Sequence, residues 1–191
     1  RSEIFNSIMD TIGKNFKYKI ISNFVEQTSL PLLLNYCKIR HLNNFDKDRF
    51  IDKQSQGSTS FYADYLMESL LICKKKLLEK TINKKLHPTY SYWRMYTYLD
   101  ELKKHTDRES CEISVSVNIG SSGEDWPIYM DGKPNHLKPG DAVVYLGRDV
   151  EHYREKFNGD WFCQVFLHYV DANGPYADYK LDQRITLGRK K

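Results

Sequence analysis

Between residues 111 and 119 the chain alternates without a break. Cys111, Ile113, Val115, Val117 and Ile119 fall on one side, and Glu112, Ser114, Ser116 and Asn118 on the other. A period of two belongs to an extended strand, because successive side chains leave a pleated backbone on opposite faces. The pattern predicts a half-buried strand with its polar face turned to water. Other short segments of the same kind surround it, punctuated by turns. A polar-aromatic strand begins near Tyr90, Gly120-Ser-Ser-Gly and Met130-Asp-Gly-Lys-Pro-Asn read as turns, Pro139-Gly-Asp leads into a strand at Ala142–Leu146, and a last strand covers Trp161–Val170. On that last strand Gln164, Phe166 and His168 share one face, and Cys163, Val165, Leu167 and Tyr169 the other. Both faces are partly apolar, so the pattern leaves open which one looks inward. Short strands separated by Gly/Pro turns and preceded by helices argue for a mainly β, α+β fold, an antiparallel sandwich or jelly roll with supporting N-terminal helices.

The first 88 residues have a different period. A short amphipathic start (Ile4, Phe5, Ile8, Met9, Ile12) precedes an edge strand at Tyr18–Ile21. Ser29-Leu-Pro is a helix start, since serine caps and proline loses nothing in the first turn. Leu33, Leu34, Cys37 and Leu42 would form its face, and residues 43–60 read as a polar loop. In a second helix Tyr62, Leu66, Leu70, Cys73 and Leu77 recur at helical spacing and predict a packing stripe, which Pro88 and the residues before it bring to an end. With 191 residues the chain can bury one substantial core. We expect one domain over 1–191: a mainly helical support (1–88), a β core (89–171) and a tail (172–191).

The net charge of +4 is mild. Lys74-Lys75-Lys76, Lys84-Lys85 and the basic tail Arg189-Lys190-Lys191 read as solvated surface rather than a nucleic-acid site, since no nucleic-acid-binding motif accompanies them. No apolar run approaches the roughly 20 residues that span a bilayer, and no leader pattern stands at the start. Cys37, Cys73, Cys111 and Cys163 are widely spaced with no C-x-x-C, and read as buried thiols of a reducing, cytoplasmic compartment.

The chemistry concentrates at His105-Thr-Asp107. In an extended segment these two side chains point the same way, so both can reach one ion. His152 follows 45 positions after Asp107, beyond the Ala142–Leu146 strand. Two imidazoles and a carboxylate meeting across a β fold make a facial triad with open coordination positions, which suits non-haem Fe(II). Taken alone, His-x-Asp also fits a surface histidine beside a turn-capping aspartate. His41, His87 and His136 have no partner motif and read as surface residues.

The surrounding words are more specific. Arg94-x-Tyr96, Leu102-x-x-His105-x-Asp107-Arg108, Cys111-Glu-Ile-Ser114, Trp126-Pro-Ile, Pro139-Gly-Asp141, Tyr145-x-Gly147, His152-x-Arg154-Glu155 and Gln164-Val-Phe-Leu-His-Tyr-Val170 occur in that order. Over residues 90–171 this resembles the 2-oxoglutarate/Fe(II)-dependent dioxygenases of the prolyl 4-hydroxylase-like superfamily, most nearly their compact microbial and phage members. The resemblance implies a double-stranded β-helix with Fe(II) held by His105, Asp107 and His152 as the catalytic metal ligands. It also implies 2-oxoglutarate as cosubstrate, O2 as oxidant and ascorbate as an optional reductant. The expected outcome is hydroxylation of a C–H bond in a peptide or small-molecule substrate, with release of succinate and carbon dioxide.

One departure stands out. The resemblance calls for a Lys or Arg about ten residues after the distal histidine, to pair with the far carboxylate of 2-oxoglutarate, and here Trp161 and Phe162 occupy those places. A buried carboxylate needs a cation or several donors. Arg154, two residues past His152, is the first choice and Arg94 the second; each could instead form an ordinary ion pair, Arg94 with Asp100 or Glu101. Tyr96, Gln164 and His168 are further candidates for lining that pocket, and Trp126 and Trp161 pack in the core or at the rim. Residues 43–60 and 120–135 are the loops expected to select substrate. Two rival readings stay open: a binding module of the same fold without turnover, and a Zn- or Mn-dependent hydrolase or isomerase on a jelly roll.

Overall fold

The computed structural model describes residues 16–43 and 58–189. The amphipathic start, most of the 43–60 loop and Lys190-Lys191 lie outside the described residues.

Ten strands and two α-helices appear in the order β1 (Tyr18–Ile21), α1 (Leu30–Leu42), β2 (Thr59–Tyr62), α2 (Tyr65–Ile82), β3 (Leu86–Thr97), β4 (Leu102–His105), β5 (Ile113–Ser121), β6 (Ile128–Met130), β7 (Lys133–Asn135), β8 (Ala142–Leu146), β9 (His152–Arg154) and β10 (Trp161–Asp171). They make two antiparallel sheets, a large one in the order β1-β8-β5-β10-β3-β2 and a small one in the order β4-β9-β6-β7. This is the expected jelly roll. β7 occupies part of what reads in sequence as one turn, leaving Asp131 and Gly132 to reverse the chain with positive φ.

The large sheet carries the core. Val115 and Val117 of β5, Cys163, Val165 and Leu167 of β10 and Trp93 of β3 are fully buried against Leu33 and Cys37 of α1 and Met67, Leu71 and Leu78 of α2. Each such aliphatic side chain contributes about 1.5–3 kcal/mol through burial. The alternation of β10 is thereby resolved. Cys163, Val165, Leu167 and Tyr169 face the helices, so Gln164, Phe166 and His168 face the interior between the sheets.

Three expectations need correction. β5 is not half-buried: Ser114, Ser116 and Asn118 are as buried as the valines, because their polar face looks into the space between the two sheets and not into solvent. The stripe of α2 is rotated by one residue. The buried positions are Met67, Glu68, Leu71, Lys74, Leu78 and Ile82, whereas Leu77 is exposed and Tyr62 belongs to β2. Cys73, on the outer side of that helix, is exposed and is no core thiol. Local chemistry also differs at helix ends. Ser29 makes no side-chain cap, Leu42 is exposed, and α2 stops at Asn83 in the left-handed conformation while Pro88 sits inside β3. Asp64 caps α2 by accepting from the amides of Leu66 and Met67 at 3.1 and 3.3 Å.

Residues 172–189 fold back over the sheet. Arg184 forms a buried ion pair with Glu68 at 2.6 Å and donates to the Thr89 carbonyl at 2.8 Å. Asp182, two residues earlier in a stretch of three left-handed residues (Leu181, Asp182, Gln183), accepts from Tyr62 Oη at 2.5 Å. No helix among the described residues is long and apolar enough to cross a membrane.

Candidate active site

β4 ends at His105, and the extended continuation to Asp107 keeps both side chains on one side, as the i, i+2 spacing requires. β9 pairs with β4 and sets His152 directly across from His105. The Nε2 atoms of His105 and His152 each lie 3.5 Å from Asp107 Oδ1, and the two rings are 4.2 Å apart. All three residues offer a ligand atom within 4.8 Å of the others. Each imidazole is oriented from behind: Nδ1 of His105 is 2.7 Å from the Lys103 carbonyl and Nδ1 of His152 is 2.9 Å from the Val150 carbonyl. A carbonyl only accepts, so both Nδ1 atoms carry the proton and both Nε2 lone pairs point at the common centre. His152 is buried, while His105 and Asp107 keep a small exposed area, so an ion can arrive from solvent.

Asp107 is held just as firmly. Its amide donates to the Gly147 carbonyl at 2.7 Å, and its Oδ2 accepts from Ser114 Oγ at 2.9 Å. Glycine is required at 147 because a Cβ there would collide with the Cys111 carbonyl and come within 2.5 Å of Asp107 Oδ2. Burial alone would raise the Asp107 carboxyl. The adjacent His105 and His152 side chains outweigh it and keep the group well below the usual carboxylate range. Next to it, Arg108 forms a two-point ion pair with Asp182 at 2.7 and 2.9 Å and lies 4.8 Å above the Tyr90 ring.

Two residues beyond His152 on the same strand face is Arg154, roughly 7 Å further along at about 3.3 Å per residue. Its guanidinium is buried between the rings of Trp126 and Phe162, 4.7 Å from each. It donates to the Trp126 carbonyl and, at 2.6 Å, to Gln164 Oε1. Gln164 in turn donates to Ser116 Oγ. Arg154 makes no ion pair among the described residues, and its Nε has no partner. Burial pulls its pKa down to about 10. A guanidinium enclosed by rings and met by neutral groups alone is short of an anion. Tyr96 and Phe157 complete this aromatic box with Trp126 and Phe162.

Arg94 faces the same interior from β3, opposite Gln164 in register. Its NH1 donates to Tyr96 Oη at 3.2 Å, and its charge lies near the rings of Tyr92, Phe166 and Tyr96 at 5.1–5.9 Å. It also acts on the Asp100 carboxyl, where burial raises the pKa and the Thr97 contacts and Arg94 oppose it. His168 stands at the other end of β10, opposite Ser114, with Nδ1 2.8 Å from Ser114 Oγ and its ring 4.5 Å from Tyr90. The structure thus groups Arg154, Gln164 and Tyr96 at one end and brings His168 to the Asp107 end. Two neighbours escaped the sequence reading. Tyr145 sends its hydroxyl to 3.5 Å from His152 Nε2, and Ser114 tethers Asp107. Ser114 was visible as one polar step of the β5 alternation, but its partners lie 7 and 54 residues away.

No protein-family model matches the sequence, and no curated protein is significantly similar to it. Solved structures are similar in fold. A prolyl-4-hydroxylase of Pseudomonas putida superposes with a TM-score of 0.64 at 15% identity, covering 81% of this chain and 92% of that one. A prolyl hydroxylase of Trichoplax adhaerens, in complex with a hypoxia inducible factor peptide fragment, gives 0.65 at 14%, covering 88% and 89%. HygX of Streptomyces hygroscopicus, with nickel and 2-oxoglutarate bound, gives 0.63 at 10%, covering 91% and 88%. The chain has the jelly-roll fold of the 2-oxoglutarate/Fe(II)-dependent oxygenases. On that dioxygenase fold the paired strands β4 and β9 carry the His105, Asp107 and His152 cluster, and the interior face of β9 carries Arg154.

Proposed function

We propose that this protein is a 2-oxoglutarate- and Fe(II)-dependent dioxygenase that hydroxylates a C–H bond of a peptide or small-molecule substrate. The observation that carries the reading is two features joined through β9: a His/Asp/His cluster with converging lone pairs, to which β9 gives His152, and two residues further along that strand the buried Arg154 guanidinium, which makes no ion pair among the described residues. The donor set fits the group. Two neutral imidazoles and one carboxylate would suit Fe(II) and leave it able to take further ligands. Bound there, Fe(II) with 2-oxoglutarate would supply the oxidation of a substrate C–H bond by O2, coupled to conversion of the keto acid to succinate and carbon dioxide.

The chain's own residues bind, orient and exclude. His105, Asp107 and His152 would hold the metal, with the Lys103 and Val150 carbonyls and Ser114 fixing their directions. Arg154 would take the far carboxylate of 2-oxoglutarate in its planar fork, replacing the cation that Trp161 and Phe162 do not supply. Gln164 fixes the angle of that fork from β10. Tyr96, Trp126, Phe157 and Phe162 keep water from the pair, which strengthens it. Arg94, with Tyr92 and Phe166, would border the same pocket from β3.

Anaerobic titration with Fe(II) and 2-oxoglutarate tests this. The expected result is a visible metal-to-ligand charge-transfer band that needs both components, decays on admission of air and is followed by succinate. Iron binding without a band and without succinate would overturn the reading in favour of a hydrolase or a silent binding module.

A further inference from the structure

We infer that Asp107, Cys111 and His168 form a second metal site, suited to a thiophilic divalent ion such as Zn(II), which shares Asp107 with the His105/Asp107/His152 cluster. The three side chains offer a carboxylate oxygen, a thiol sulfur and an imidazole nitrogen, all within 4.8 Å of one another. Cys111 is 2% and His168 5% exposed, so this is an enclosed donor set and not a patch of surface acids.

Chain geometry explains why they meet. A single 3-10 turn, Glu109–Cys111, reverses the chain after Arg108 and returns Cys111 beneath Asp107. His168 arrives from β10, held there by its register opposite Ser114. Asp107 divides its two oxygens between the sites: Oδ1 faces His105 and His152, and Oδ2 faces Ser114, whose Oγ also meets His168 Nδ1. One carboxylate therefore stands between a nitrogen-rich set on one side and a sulfur-containing set on the other. Tyr90 Oη, 3.0 Å from Cys111 Sγ, offers a fourth donor.

The chemistry of the two sets differs. A thiolate with imidazole and carboxylate is a zinc-type combination, whereas two imidazoles and a carboxylate suit iron. Binding exchanges the Cys111 S–H proton for the metal: the S–H bond breaks, a metal–sulfur bond forms and the proton leaves to solvent. Burial and the Asp107 charge push the Cys111 thiol up, and Tyr90 and Arg108 oppose them only in part, so the arriving ion itself must displace the proton. Because Asp107 serves both sets, an ion in one weakens the other, and the coupling is reciprocal. That competition rests on the iron reading above; the second site itself does not.

Anaerobic titration of the full chain with Co(II) decides it. The expected result is two bound ions and a near-ultraviolet thiolate-to-Co(II) band. Cys111→Ser should lose the band and one ion while keeping the other. His105→Ala should keep the band and lose the other ion. His168→Gln, which keeps the thiol, should weaken the band and guards against a folding defect in the cysteine variant. Absence of the band in the wild type, or its survival in Cys111→Ser, would overturn the second site. An unchanged ion count in His105→Ala would instead count against the iron reading.

Discussion

The two ends of the interior solve opposite electrostatic problems. At one end the Asp107 carboxylate and the Nε2 atoms of His105 and His152 bring acceptors together, and of these groups only Ser114 donates to the carboxylate, at 2.9 Å. At the other end Arg154 is enclosed by rings and met by two neutral oxygens, with no ion pair among the described residues. The first end gathers lone pairs that a cation would complete. The second is complete only when an anion arrives, and a site that keeps an unmatched charge out of water trades stability for binding.

That contrast can be broken most severely at Asp107. Asp107→Ala should reduce Fe(II) binding and turnover to background while the β core stays folded, as checked by metal content and circular dichroism. Retained iron would remove Asp107 from the ligand set. Next comes Arg154→Met. It should raise the apparent 2-oxoglutarate constant roughly 30-fold or more, as expected when about 2 kcal/mol of buried charge pairing is lost, with Fe(II) affinity unchanged. The same variant should make the ligand-free protein more stable by about 1 kcal/mol or more, since a buried, unmatched charge is replaced by an apolar chain. If its melting temperature falls and 2-oxoglutarate dependence is unaltered, the anion belongs to Arg94.

Ser114→Ala sharpens the first end. Losing the group that orients a metal-ligating carboxylate should cost about tenfold in Fe(II) affinity, with little effect on 2-oxoglutarate. The smallest effect is expected at the Arg108–Asp182 pair behind the site. Asp182 is held at about 2, below its ordinary 3.8, because Arg108 and Tyr62 outweigh the burial that would raise it. A depressed acid stabilises the fold above its ordinary pKa, and this contribution fades as pH falls from about 4 through about 2. Asp182→Asn should therefore cost about 1 kcal/mol at neutral pH, discounted for the half-exposed Arg108, and nothing below pH 2. Urea unfolding across that range would read it.

The jelly roll and the His105/Asp107/His152 cluster were legible because both rest on period two. Alternation marks β5 and β10, and the same rule turns His105 with Asp107, and His152 with Arg154, to common sides. What sequence did not reveal lies where partners are far apart. In α2 the adjacent pairs Leu66-Met67, Leu70-Leu71 and Leu77-Leu78 write two parallel stripes, and local pattern cannot choose between them. The choice is made by Glu68 with Arg184 and Lys74 with Glu26, ion pairs 116 and 48 residues apart in the chain. The polar face of β5 misled for a related reason. Ser114, Ser116 and Asn118 look like a solvated edge until a second sheet closes over them. Arg154 was legible as a position, but its shortage of an anion became visible only once Trp126, Phe162 and Gln164 surrounded it.

The place of β10 has a consequence for how the protein is made. It is the last of the ten strands among the described residues, yet it lies between β5 and β3 and pairs with both along most of its length. On the ribosome, β5 with β8 and β3 with β2 can form before it appears, but nothing joins them. Until β10 emerges, the nascent chain displays two open strand edges, each inviting the wrong neighbour. Synthesis of these eleven residues both joins the two halves of the large sheet and ends the interval in which aggregation competes with folding.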